Sequence, residues 1–214
     1  RGYHYEILLR LRTEDGIIVP PGAFMPAAER FGMVRKLDEW VVKSTLAWLG
    51  ANPRHCKDLS LVPINLSRRS LGGEEYLATL VDALEGAPHQ KLCFEVTETG
   101  AIGDLAHAVE FIDKVRSLGC SFAYLRQLPV DYLKIDGNLV KNIAIDEQEF
   151  AMVRSIAEVA PTLGKQTVAE FVEDQDILDK LIELDIDFAQ GHHLGRPMPL
   201  SNLADVPAKC LGRC

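Results

Sequence analysis

Short apolar runs of strand length recur along this chain, separated by amphipathic helical stretches, and nearly all of them carry a polar or charged residue at or next to their C-terminal end. The runs are YEILLRL (5–11), LSLVPINL (59–66), KLCFEV (91–96), CSFA (120–123), DYLKI (131–135), QTVAEF (166–171) and DFAQ (187–190). Between them Val34, Leu37, Val41 and Leu49 share one helical face. Ala108, Phe111, Ile112, Val115 and Leu118 share another, and Phe150, Val153, Ala157 and Ala160 a third. LSLVPINL and KLCFEV are apolar at consecutive rather than alternating positions, the pattern of strands covered on both faces by crossover helices. The βα repeat predicts an α/β fold, either a (β/α)8 barrel or a doubly wound parallel sheet. No Gly/Ser/Pro-rich linker divides the 214 residues, so 1–214 reads as a single domain.

Charge narrows the function classes. With 23 Lys and Arg against 31 Asp and Glu, the formal net charge is −8, and the densest basic cluster is only Arg68-Arg69. That excludes bulk nucleic-acid binding and attraction to anionic membranes unless cations intervene. The apolar stretches fall short of the roughly 18 residues of a membrane span, and RGYHYEILLRLR has no signal-peptide core. The expectation is a cytoplasmic domain with no direct membrane insertion, although a parent chain can still be membrane-tethered. The five cysteines form no C-x-x-C pair and read as reduced thiols, and nothing near Cys210 and Cys214 completes a metal-ligand set.

The polar residues at the strand ends carry the chemistry. Glu6 and Arg10 lie on the first run, Asn65 closes the second, and Glu95 sits in the third with Glu98 just beyond. Lys134 and Asp136 finish YLKID, Glu170 and Glu173 follow TVAE, and Gln190 ends DFAQ. In a parallel barrel the strand C-termini open on one face, so these groups are expected around one mouth. Buried carboxylates need paired charges or cations, and a donor set of carboxylates plus one amide oxygen suits Mg2+ or Mn2+ rather than Zn2+. Such a site can bind a phosphate through its metals, with the Lys134 ammonium placed to orient a water and help its deprotonation. No P-loop, G-x-S-x-G, H-E-x-x-H or G-x-G-x-x-G pattern is present. His192-His193 reads as a solvated loop pair, Trp40 and Trp48 as packing residues, and Asn65-Leu66-Ser67, inside a strand, not as a glycosylation acceptor.

These residues stand in YEILLR, PGAFMPAAERFGMVRKLDEWV, PINLS, FEVTET, LPVDYLKID, TVAEFVE and AQGHHLGRP, and with them the chain resembles the EAL domain family of cyclic di-GMP phosphodiesterases and receptors. The resemblance covers essentially the whole chain in the family's order. It implies a (β/α)8 barrel that hydrolyses cyclic di-GMP to linear pGpG with two Mg2+ or Mn2+ ions. It assigns Glu6, Asn65 and Glu95 to the first metal and Glu170 to the second, with Lys134, Glu170 and Glu6 as the catalytic set. Arg10, Leu8, Gln190 and Asp136 would contact substrate, and Glu98 and Glu173 would anchor loops. A homodimer and upstream sensory or GGDEF domains in a longer parent chain are further implications.

Four positions depart from the family pattern. Ile7 replaces an alanine and Phe171 a glycine, both acceptable because neither side chain is a ligand. The family's Q-P-I strand is expected before Arg1. Ala123 runs directly into Tyr124, where the family has A-L-D-D-F-G-x-G-x-S-S, so the loop with its two adjacent metal-bridging aspartates is absent. If that loop is deleted, the chain is a non-catalytic cyclic di-GMP receptor. If it is merely left out of the sequence as it stands, the enzyme is intact. CSFA is too short to cross a barrel, which favours the second. A barrel metalloenzyme acting on another phosphate is the more distant alternative.

Overall fold

The first strand is shorter than YEILLRL predicts: β1 covers only Tyr3–His4, followed by an isolated parallel bridge between Ile7 and Ile64. Leu11–Arg12 (β2) instead turns back antiparallel onto Ile18–Val19 (β3). The turn explains the difference. Gly16 supplies φ +82 and its N–H donates to Thr13 O at 2.9 Å, while Thr13 Oγ1 accepts from Ile17 N at 3.0 Å. The Asp15-Gly16 pair is a hairpin signal, and it draws two exposed residues away from the strand. The structure, a computed structural model, describes residues 3–71, 74–85, 87–95, 112–115, 117, 121–123 and 130–203.

The chain divides into two compact units, Tyr3–Phe122 and Ala123–Cys214. In the first, helices α1 (Pro21–Arg30), α2 (Val34–Ala51) and α3 (Pro53–Asp58) lead into β4 (Leu59–Asn65). After α4 (Arg68–Leu71) and α5 (Glu74–Leu84) comes β5 (Leu92–Glu95). Strands β1, β4 and β5 are parallel neighbours in that order. Burial at all four positions of β5 and at most of β4 bears out the reading of strands covered on both faces. Val34, Val41 and Leu49 of α2 are buried as their spacing predicts. Trp40, expected to pack, is instead 59% exposed, because it lies off that stripe. Ile112 and Val115 are fully buried, whereas Ala108, Phe111 and Leu118 lie outside the described residues.

His55 is buried on α3, with its ring 5.8 Å from that of Tyr5 and edge-on to Trp48 at 5.2 Å. Burial holds its imidazole below the ordinary 6.5, with Asp58 opposing.

The second unit repeats strand, aspartate, helix. From β6 (Ser121–Ala123), Ala123 pairs in parallel with Tyr132 of β7 (Tyr132–Ile135). Helices α6 (Gly137–Val140) and α7 (Glu147–Thr162) follow, then β8 (Gln166–Ala169), α8 (Gln175–Glu183), β9 (Phe188–Ala189) and α9 (Leu200–Leu203). Strands β7, β8 and β9 are parallel. Asp136, Asp146 and Asp174 cap the three helices α6, α7 and α8 by accepting backbone N–H bonds, at 2.7 Å from Asn138, 2.8 Å from Gln148 and 2.9 Å from Ile177. Ile135, Val140, Val153, Ala169, Val172 and Leu181 form the core they enclose. No helix among the described residues is long and apolar enough to cross a membrane.

Two predictions follow from these packings. As pH falls, the unfolded chain protonates its His55 before the folded chain does, so stability is lost below about 6.5, by up to roughly 1.4 kcal/mol per pH unit. His55→Phe should flatten that limb in thermal melts across the acidic range, and an unchanged slope would refute the assignment. At Gly191 a Cβ would come 2.1 Å from the Val172 carbonyl oxygen and 2.3 Å from its nitrogen. Backbone cannot swing aside as a side chain can, so Gly191→Ala should destabilise by about 1–3 kcal/mol in urea titrations. A wild-type midpoint would show that the two segments part at no cost.

Candidate functional site

In the first unit the parallel register of β4 and β5 pairs Asn65 with Glu95, the last residues of their strands. Leu66 N donates to Glu95 O at 2.8 Å, which continues the ladder one step past both side chains. Glu6 arrives beside them because the next residue, Ile7, donates its N–H to Pro63 O at 2.9 Å and bridges Ile64. The Asn65 amide donates through Nδ2 to Glu6 Oε1, so its Oδ1 is the atom it presents to a cation. Glu95 is buried, Glu6 half-buried and Asn65 exposed. Among the described residues no three His, Cys, Asp or Glu side chains cluster to hold a metal. Here the donors are two carboxylates and an amide oxygen, all hard oxygen ligands, and that chemistry fits Mg2+ or Mn2+. Arg10 and Leu8 are exposed beyond Glu6, with Arg10 Nη1 on Leu9 O at 2.8 Å.

In the second unit Lys134 Nζ lies 2.7 Å from Glu170 Oε1, both side chains less than a third exposed. The register makes this pair: Lys134 sits opposite Val168 on β8, and Glu170 N donates to Ile135 O at 3.3 Å as that ladder ends. Gln190 is fixed by its backbone, donating to Ala169 O at 2.8 Å and accepting from Val172 N at 3.0 Å. The carboxylate of Asp136, expected at the substrate, caps α6, and Glu173 is exposed. His192 and His193 are exposed, as a solvated pair should be, with His193 Nε2 3.2 Å from Gln175 Oε1. Phe171 adopts φ +58, the left-handed region in which a side chain costs about 1–2 kcal/mol. The glycine it replaces would carry no such strain, so the substitution is accommodated rather than neutral. Glu98, the Ala123–Tyr124 junction and Cys210 and Cys214 lie outside the described residues.

One polar cluster beside Asn65 was not anticipated from the sequence. Asp38, on α2 and only 7% exposed, accepts from Ser67 N at 2.9 Å and from Ser70 Oγ at 2.6 Å. Burial raises its carboxyl above the ordinary value, and the bonds from Ser67 and Ser70 oppose that rise. Tyr76, buried nearby, has its phenol pushed far up by burial and then by the Asp38 charge. The signal was present: Asp38 occupies the apolar stripe of α2 four residues after Val34 and three before Val41, where a charge needs partners.

The EAL domain family model matches residues 1–197. The cyclic di-GMP phosphodiesterase PdeB of Shewanella oneidensis is 41% identical over 215 residues, covering 94% of this chain and 25% of that protein. The cyclic di-GMP phosphodiesterase PdeF of Escherichia coli is 30% identical over 213 residues, covering 92% of this chain and 28% of that protein. The chain thus spans about a quarter of the length of these curated relatives. Among solved structures, the PaMucR phosphodiesterase in complex with c-di-GMP superposes with a TM-score of 0.83 at 28% identity, covering 92% of this chain and 86% of the other. The Xanthomonas citri FimX EAL domain in complex with c-diGMP gives 0.80 at 25% identity, covering 88% and 79%. By the match over residues 1–197 and by these neighbours, the chain belongs to the EAL domain family and has that family's α/β, (β/α)8-type fold.

Proposed function

We propose that this chain is a divalent-metal-dependent phosphodiesterase domain that hydrolyses cyclic di-GMP to linear pGpG. The observation that carries the reading is the joining of Glu6 to Asn65, with Glu95 in register beside Asn65, at the ends of parallel strands. The names of the relatives and the cyclic di-GMP in the related structures support the substrate.

Glu6, Asn65 and Glu95 would hold one Mg2+ or Mn2+, and Glu170 would ligate a second. Such ions, when bound, polarise phosphoryl oxygens and make a bound water more acidic. The chain's own residues do the rest. Lys134, ion-paired with Glu170, is a donor that holds and orients the attacking water rather than a base that takes its proton. Arg10 offers a guanidinium to a non-bridging phosphate oxygen. Leu8, Gln190 and Asp136 are assigned to the rest of the ligand, and Glu173 to anchoring the chain after Glu170. Water oxygen adds to one phosphorus, that phosphorus releases one ribose oxygen, and the proton ends on the leaving oxygen.

A second reading has its own observation. No aspartate stands between Ala123 and Asp131, so the adjacent pair that bridges two metals in the family is not supplied there. The chain would then be a cyclic di-GMP receptor without turnover.

Purified protein with Mn2+ or Mg2+ and cyclic di-GMP should yield pGpG. Glu6→Ala and Asn65→Ala should each lower turnover by more than the roughly 10–100-fold typical of an outer-shell change. Tight binding with no product would establish the receptor reading, and absence of binding would overturn both.

A further inference from the structure

Asn65 is exposed at the end of β4, so packing does not hold its side chain. Its amide is bonded to Glu6, and beyond that bond its place depends on the backbone on either side. Before it, β4 is locked between two parallel neighbours. After it, the chain leaves the ladder once Leu66 N has bonded Glu95 O, and the next restraint comes from α2. Asp38 receives the Ser67 N–H at 2.9 Å and the Ser70 hydroxyl at 2.6 Å, and the two serine oxygens lie 3.1 Å apart. Arg35, one turn earlier on the same helix, donates through Nε to Arg69 O at 2.6 Å. Ser70 is fully buried and also donates its N–H to Ser67 O at 3.0 Å. One helix therefore holds the segment that begins two residues after Asn65 by two side chains, and the carboxylate does so away from water, where hydrogen bonds to a charge are strongest.

We infer that Asp38 is a positioning residue for Asn65: by holding Ser67 and Ser70 from α2, its carboxylate fixes where β4 delivers the Asn65 amide oxygen to a divalent cation. This rests on the assignment of Asn65 as a cation ligand. Asp38 touches neither cation nor substrate. It acts through the backbone, as outer-shell groups commonly do for metal ligands.

The test is Mn2+ binding to the purified full chain, read by the loss of the free-ion EPR signal, together with thermal melts. Asp38→Ala should weaken Mn2+ binding by about 10–100-fold. Asp38→Asn, which keeps an oxygen that can accept from Ser67 N, should recover most of the affinity. Turnover of Asp38→Ala should return as Mn2+ is raised at a temperature well below that variant's melting point, where the chain is already folded and a defect of stability alone would leave nothing to restore. If Asp38→Ala fails to fold, Ser70→Ala, which removes one bond, carries the test with a several-fold loss. A folded Asp38→Ala or Ser70→Ala with wild-type Mn2+ affinity overturns the inference. Asn65→Ala separates the two levels: if it weakens Mn2+ while Asp38→Ala does not, only the positioning role falls. If Asn65→Ala leaves Mn2+ binding unchanged, the ligand assignment falls and this inference with it.

Discussion

The parallel register between β4 and β5 is the constraint on which the rest of the first unit depends. With Val62, Pro63 and Ile64 set opposite Leu92, Cys93 and Phe94, the ladder delivers Asn65 and Glu95 side by side at its end. A shift of one residue would turn the apolar side chains of β5 to the opposite face and carry Glu95 with them. The packing that stabilises the sheet therefore also places the ligand chemistry. Burial of Phe94 and Leu92 enforces the register, and the register turns two strand ends into a pair of oxygen donors.

The second unit solves the same problem with different parts. After β7 and again after β8 an aspartate, Asp136 and Asp174, caps the helix that follows, so the chain turns and leaves functional side chains at those strand ends. Lys134 and Glu170 meet because β7 and β8 are in register, and each neutralises part of the other's charge where neither is well solvated. Phe171 shows the tension in this turn. It holds a left-handed conformation next to Glu170, and its ring occupies the space into which a Cβ on Gly137 would project, 2.1 Å from Cδ2. Strain next to a functional side chain persists only where the surrounding structure dictates the backbone.

Much of this was legible in the sequence because it follows from periodicity and from where polarity interrupts it. LSLVPINL and KLCFEV read as covered strands, and Val34, Val41 and Leu49 as a buried stripe, because burial writes itself into consecutive residues. Glu6, Asn65, Glu95, Lys134 and Glu170 stood out as polar residues within or near the ends of apolar runs. The first strand was misread because apolar content in YEILLRL continues past the point where Asp15-Gly16 reverses the chain, and a local turn overrode the pattern. Trp40 was misread because its size suggested packing while its helical phase put it outside. Asp38 was missed for a different reason. Its partners lie 29 and 32 residues away, on a segment that only the fold brings to α2.

That separation bears on why an aspartate stands there at all. An asparagine oxygen, with two lone pairs, could accept both hydrogen bonds without a buried charge, and the raised carboxyl of Asp38 records what burying that charge costs. Both bonds are accepted by the same oxygen, Oδ2, which a carboxylate does better than an amide because its oxygens carry the charge. The arrangement exchanges some stability for a stiffer link between α2 and the chain after Asn65. A link of that kind has little value if the segment merely connects β4 to α4. It has value if an exposed side chain at the end of β4 must be held to within a fraction of an ångström, as an oxygen ligand to a small divalent cation must be.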